Sequence, residues 1–227
     1  MFEQLPEAIQ QKVKTLATEA QKLNPTGWFE VLYSEAHRDP TQIPWARLTT
    51  HPYLQDWLNF SQPQGEGKNA LVIGCGLGDD AEALSKLGFQ VTAFDISPTA
   101  ISWCHQRFPE SSVNYLVADL LALDANWHHY FDLAIESRTI QALPVEMRQR
   151  VINCIAPVVA EGGTLLVITR IRDTDVIPDA PPWPLSEKEL AQFIDLGFQE
   201  VHRNFFWSEA GQNTIKQAWI EYCLHQQ

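Results

Sequence analysis

The stretch Ala70-Leu71-Val72-Ile73-Gly74-Cys75-Gly76-Leu77-Gly78-Asp79-Asp80 decides the fold, because an apolar run breaks there into a glycine turn and then opens an amphipathic segment. Leu71, Val72 and Ile73 make a run too short for a helix, which suits a central parallel strand buried on both faces. Gly74, Gly76 and Gly78 then remove every second Cβ. A chain that must turn sharply, approach a ligand and pack a helix against the strand it has just left needs such bare backbone. The turn is therefore a candidate ligand seat.

The residues just beyond the glycines select the ligand. A dinucleotide fingerprint, G-x-G-x-x-G, sets a pyrophosphate against the helix N-terminus; here the third glycine slot holds Asp79, followed by Asp80. Two carboxylates in a first helical turn suit the helix dipole but repel a pyrophosphate. S-adenosylmethionine (SAM) has no phosphate, carries an ammonium and a sulfonium beside its adenosine, and fits such a turn better. Phe89 to Asp95 then predicts a second strand ending in a carboxylate, about 20 residues beyond the first glycine. Asp95 offers two acceptor oxygens to a ribose diol, a feature that NAD and SAM share. It is not needed as a helix cap, because Ser97 fills the N-cap slot and Pro98 the first helical position.

The run from Leu71 to Ala100, with its Gly-Cys-Gly turn, the Asp just beyond and Phe-Asp-Ile-Ser-Pro-Thr-Ala, resembles class I SAM-dependent methyltransferases. Within them it is most similar to the thiopurine S-methyltransferase-like branch. Val72 stands where many class I enzymes carry an acidic residue, and that branch is apolar there too. The resemblance covers most of the chain from about Trp28. It implies a doubly wound, Rossmann-like α/β fold, a mainly parallel sheet with an antiparallel C-terminal strand. It also implies that Trp28, Tyr33 and the Trp45 of Pro44-Trp45 line the cofactor end, that Asp119 accepts from the adenine amino group, and that the adjacent Leu120 backbone meets a ring nitrogen.

The rest of the chain fits one α/β domain, 63–227, with a helical extension, 1–62, packed on it. With 227 residues, 45% of them hydrophobic, the chain can build a substantial core. The formal charge of −12, from 28 acidic and 16 basic residues with no basic cluster, argues against nucleic acid and anionic membranes. No apolar stretch nears the ~20 residues that span a bilayer, and Met1-Phe2-Glu3-Gln4 does not begin a basic-then-apolar leader, so a cytoplasmic protein is expected. Cys75, Cys104, Cys154 and Cys223 lie too far apart for a zinc or disulfide pattern. His128 and His129 are adjacent and point their rings apart, so no metal is expected.

Apolar periodicity predicts helices over Glu7–Leu23, Tyr53–Phe60 and Met147–Val159, and one after Ser97 with Ala100, Ile101, Cys104 and Phe108 inward. Trp103 and His105 fall off that stripe. Strands are predicted at Val113–Val117, Phe131–Ile135 and Thr164–Thr169, the last after a Gly162-Gly163 turn, and at Phe198–Trp207 and Ile215–Leu224. Asp179 to Leu185 is a proline-stiffened loop able to wall a substrate pocket, followed by a Ser186/Glu189 capping box.

Methyl transfer, as the resemblance implies it, is an in-line displacement that needs alignment and exclusion of water, and a thiolate requires no general base. Ligands of doubly wound sheets bind at the carboxyl ends of strands, where Glu136 and Arg138 lie. These two are the catalytic candidates. Glu136 serves as base for an oxygen or nitrogen acceptor if its pKa is raised; otherwise it holds the SAM ammonium or Arg138. Arg138, Arg170 and Arg172 offer themselves to an acidic substrate. The candidate cofactor residues are Trp28, Trp45, Gly74, Cys75, Gly76, Gly78, Asp95, Ile96, Asp119, Leu120 and Glu136. The expected partner is a small-molecule methyl acceptor, the expected product S-adenosylhomocysteine, and the chain a monomer or homodimer. A non-catalytic SAM-binding protein and a nicotinamide-dependent oxidoreductase remain the alternatives.

Overall fold

A computed structural model describes residues 7–20, 24–210 and 213–225. Three helices come first, α1 (Glu7–Ala20), α2 (Gly27–Glu35) and α3 (Pro52–Ser61). Leu23, expected at the end of the first helix, lies outside the described residues. Then follow β1 (Asn69–Ile73), α4 (Asp79–Lys86), β2 (Gln90–Asp95), α5 (Pro98–Arg107), β3 (Asn114–Val117) and β4 (Phe131–Ser137). The chain continues with α6 (Arg148–Ile155), β5 (Val159–Ile171), two short helices, α7 (Glu187–Leu190) and α8 (Gln192–Asp195), and the hairpin β6 (Phe198–Ala210) and β7 (Asn213–Leu224).

The seven strands form one sheet in the order β3-β2-β1-β4-β5-β7-β6. The first five are parallel, and β7 runs antiparallel between β5 and β6. This is the doubly wound, mainly parallel arrangement expected from alternating strands and helices. β1 pairs with β2 on one side and β4 on the other, so the strand order reverses there and opens a crevice beyond its carboxyl end.

Both faces of the sheet are covered, which explains the unbroken apolar run of β1. Ala70 and Val72 face α3, α4 and α5 in one cluster with Leu54, Trp57, Leu84 and Ile101. Leu71 and Ile73 face the other way, among Val151, Ile152, Ile155 and Phe193 of α6 and α8. A third cluster joins α1 and α2 to the domain through Val13, Trp28, Leu32, Tyr33, Leu77 and Ala100. Trp103 belongs to it and is buried, although it lies off the α5 stripe. The first two helices give α5 a second apolar neighbour, so α5 buries two faces.

Two boundaries differ from the periodicity. The helix expected to reach Val159 stops at Ile155 and tightens into a 3-10 turn over Ala156–Val158, because Pro157 supplies no N–H to continue the ladder. β5 then begins at Val159 and runs through Gly162-Gly163, where its pairing with β4 shifts register between Phe131 and Leu133. The glycines mark a bulge within the strand. Leu71 is 0% exposed on the central strand. Leu71→Ala is expected to lower the unfolding free energy by about 2–5 kcal/mol, measured as a shift of the urea midpoint at constant slope.

Candidate active site

The glycine turn is pinned to the end of the neighbouring strand. Cys75 N donates to Phe94 O at 2.8 Å. Gly76 N donates to Asp95 Oδ2 at 3.0 Å, and Ser97 N to Asp95 Oδ1 at 2.9 Å. Gly76 and Gly78 have φ of 55° and 89°, a region closed to most side chains. A Cβ on Gly78 would lie 2.6 Å from the Tyr115 hydroxyl, and one on Gly76 3.1 Å from the Tyr33 hydroxyl. Burial pushes the Asp95 carboxyl up to about 6, with the Glu30 charge adding to the rise against three backbone hydrogen bonds. A carboxylate has about four lone-pair sites, so three backbone hydrogen bonds leave room for a further donor.

Beyond the turn lies a cavity of about 200 Å³ at the switch point. It is lined by Asp95, Ile96, Asp119 and Leu120 from the ends of β2 and β3, by an aromatic wall of Trp28, Phe29, Tyr33 and Trp45 from the N-terminal segment, and by Arg47, His51, Asp80, Arg138 and Gln141 with Pro181 and Pro182. Trp28 stacks on Phe29 with centroids 4.1 Å apart, Trp45 meets Trp28 edge-on at 5.9 Å, and the Trp45 indole donates to the Tyr33 hydroxyl at 2.7 Å. The aromatic helix is moored to the cofactor side of the sheet by Glu30, which accepts from the Ser97 hydroxyl at 2.6 Å and from Thr99 N at 3.2 Å.

Of the sequence candidates, Trp28, Trp45, Gly74, Cys75, Gly76, Asp95, Ile96, Asp119, Leu120 and Arg138 border this one cavity. Gly78 and Glu136 stand behind its wall. Gly78 is the N-cap of α4. Glu136 is 0% exposed, its Oε1 accepts from Ile140 N at 2.8 Å, and its Oε2 has no hydrogen-bond partner. Burial drives its carboxyl up to about 7 against the pull of the Ile140 and Thr139 backbone. Its pKa is raised as a base would require, yet its position serves the turn after β4 instead of the cavity.

Arg172 is also reassigned. Together with Arg148 it grips Glu189, at 2.7 and 2.6 Å, and this clamp holds the Ser186 capping box against β5. Although burial opposes it, Arg172, Ser186 N and Arg148 together hold the Glu189 carboxyl down at about 2. Arg170 is buried, with its backbone N donating to Gln141 Oε1 at 2.7 Å, and does not border the cavity.

The two aspartates after the glycines have separate fates. Asp79 accepts from both terminal guanidinium nitrogens of Arg107 at 2.7 Å. Asp80 accepts from His51 N at 2.7 Å, and burial, reinforced by the Asp79 charge, pushes it up to about 6. Both border the cavity, but with much of their charge countered. Phe29, Arg47, His51, Thr139 and Gln141 were not singled out by sequence. Only His51 carried a signal, since the proline after it opens a helix.

A family model described as a methyltransferase domain matches residues 70–163. The chain is 32% identical over 105 residues to a ubiquinone biosynthesis O-methyltransferase of Xanthomonas campestris, covering 45% of this chain and 43% of that one. The chain thus spans less than half the length of that relative. A probable thiopurine S-methyltransferase of Yarrowia lipolytica is 22% identical over 206 residues, covering 78% of this chain and 92% of that one. Among solved structures, the 1,6-didemethyltoxoflavin-N1-methyltransferase of Burkholderia thailandensis, with bound S-adenosylhomocysteine, superposes with a TM-score of 0.61 at 14% identity, over 97% and 91% of the two chains. The segment that builds the glycine turn, β2 and the Asp119 loop thus matches a methyltransferase domain, and the sheet around it takes the fold of a solved methyltransferase.

Gly76→Ala is expected to cost about 1–2 kcal/mol of stability, the penalty for an L-residue in the left-handed region. Affinity for S-adenosylhomocysteine should also fall by about tenfold or more, the equivalent of at least about 1.4 kcal/mol, as read by calorimetry.

Proposed function

We propose that the chain transfers the methyl group of SAM to a small-molecule acceptor by in-line displacement, with a thiol or another soft nucleophile as the acceptor atom. The observation that supports this most is the pairing, across one cavity, of the Asp95-clamped glycine turn with the wall of Trp28, Phe29 and Trp45. SAM supplies an electrophilic methyl group on a sulfonium. The residues present suit it. Asp95 has acceptor capacity left for the ribose diol, Asp119 offers a carboxylate for the adenine amino group, and the bare backbone of Gly74 to Gly76 admits a closely fitting chain. Aromatic faces attract a sulfonium by cation–π interaction and keep water from the transfer.

With Glu136 behind the wall, a thiolate that needs no base is the acceptor the cavity suits best. One observation favours an oxygen or nitrogen acceptor instead: Asp80 borders the cavity with its carboxyl raised to about 6, within range for a general base. A non-catalytic SAM-binding protein would share the cofactor half of the site and transfer nothing. The substrate is small in either catalytic case, and we assign the activity to the cytoplasm. Among the described residues no helix is long and apolar enough to cross a membrane.

Calorimetry with SAM, S-adenosylhomocysteine and, as control, NAD tests the cofactor. The adenosyl ligands are expected to bind and NAD not, and Asp95→Ala should weaken them by about tenfold or more. NAD binding without SAM binding would point to an oxidoreductase. Incubation with labelled SAM and a panel of thiols, phenols and amines tests the transfer, with thiols expected to be labelled fastest. A panel that stays unlabelled despite tight SAM binding would favour the non-catalytic protein.

The pH dependence has a definite sign. The ribose hydroxyls donate to ionised Asp95, whose carboxyl is raised to about 6 in the free protein. Binding therefore releases a proton below that value. Affinity should be full above about pH 7 and fall by up to about tenfold per unit as pH drops through 6. Asp95→Asn should flatten that part of the profile while leaving the contributions of Asp80 and Glu136.

A further inference from the structure

His51 is a buried histidine with one ring nitrogen committed and the other unpartnered. It is 8% exposed, borders the cavity, and caps α3 by accepting from Tyr53 N through Nδ1 at 3.2 Å. A nitrogen that accepts from a backbone N–H carries no proton of its own. In the neutral ring the proton then resides on Nε2, which makes Nε2 a donor. Nε2 is buried and has no hydrogen-bond partner. A buried donor left unmet costs about 1–3 kcal/mol, so a ligand that meets it recovers that loss.

The surroundings select the sign of that ligand. Arg47 and Arg138 border the same cavity as His51, near enough for their charges to act on its ring. Burial first, then the charges of Arg138 and Arg47, push the His51 ring down to about 2, so it stays neutral at any ordinary pH. The acids nearby are partly countered, Asp79 by Arg107 and Asp80 by the His51 backbone N–H. A neutral donor whose ring feels the charges of two guanidinium groups suits an anionic oxygen or sulfur, whereas an ammonium would be repelled by those groups with only the partly countered carboxyls of Asp79 and Asp80 to offset them.

We propose that His51 is a specificity-determining residue, a fixed neutral donor whose Nε2–H takes a lone pair of an anionic oxygen or sulfur on the methyl acceptor. The inference rests on the methyl-transfer reading and adds the acceptor's charge class to it. His51 holds this atom and does not deprotonate it, because the Tyr53 cap denies Nε2 the free lone pair of a base. The site therefore takes acceptors already ionised at neutral pH, such as thiolates and carboxylate-bearing molecules, in preference to amines.

The test separates this role from the cap. His51→Asn keeps an acceptor for Tyr53 N, since Asn is a good N-cap, but its side chain is too short to present the donor at the Nε2 position. Protein saturated with S-adenosylhomocysteine is titrated with benzenethiolate, benzoate and aniline. Wild type is expected to bind at least one anion and to prefer it to aniline. In His51→Asn that preference should drop by about tenfold, about 1.4 kcal/mol, with the melting temperature and S-adenosylhomocysteine affinity unchanged. If Asn destabilises the fold, Arg47→Gln, which leaves the cap intact, is expected to lower the same preference severalfold.

Three results would overturn the assignment. One is an unchanged anion preference in both variants. Another is loss of S-adenosylhomocysteine affinity in His51→Asn with methylthioadenosine binding unaltered, which would give the donor to the cofactor's own carboxylate. The third is saturable binding of aniline alone. Failure of the methyl-transfer reading itself would look different, as wild-type protein that binds no adenosyl ligand at all.

Discussion

Asp95 accepts hydrogen bonds from two backbone amides that belong to different parts of the chain, Gly76 N in the turn after β1 and Ser97 N at the start of α5. One carboxylate thereby ties two βα junctions together at the place where the sheet reverses its strand order. Without those acceptors the turn would hold buried amides unmet, at about 1–3 kcal/mol each, and its left-handed glycines would have no reason to stay in that conformation. The helix α4 starts where the clamped turn ends. Through Glu30, which reaches Ser97 and Thr99, the aromatic helix α2 is fixed to the same junction. Both walls of the cavity depend on this corner.

The clamp also explains the electrostatic character of the site. An acidic protein of net charge −12 places three carboxyls, those of Asp80, Asp95 and Glu136, where burial raises them to between about 6 and about 7. Desolvation thereby brings their titration close to neutral pH. Other carboxyls are paired with a guanidinium, Asp79 with Arg107 and Glu189 with Arg148 and Arg172. Local charge in the cavity is therefore set by these pairings and bears little relation to the overall excess of acid.

Much of the architecture was legible in one dimension. A strand buried on both faces must be apolar at every position, and β1 is; a glycine at every second residue can only serve a tight turn; Ser97-Pro98 and Ser186/Glu189 are local signals that the backbone obeys wherever the segment sits. The cavity border took in Trp28, Trp45, Asp95 and Asp119 for the same reason: they sit at the carboxyl ends of strands or on the segment that covers them. Glu136 was less legible. Its place at a strand end was plain, but the face of the sheet it occupies depends on the pairing of β4 with β1 and β5, and that pairing turned it toward the core. Trp103 departs in the other direction, since a residue off the apolar stripe is buried only when another element arrives to cover it.

By itself, then, the sequence determined what short-range physics can enforce: the alternation of strands and helices, the parallel core, the left-handed turn, the caps, and the acid at the end of the second strand. Tertiary structure alone decided which charges remain. Arg107 meets Asp79 across 28 residues, and His51 meets Asp80 across 29. It also decided that a histidine capping one helix keeps its second nitrogen for the cavity. Hydrogen bonds and desolvation act over a few ångströms of space. Distances that short between residues so far apart in sequence exist only after the sheet has closed.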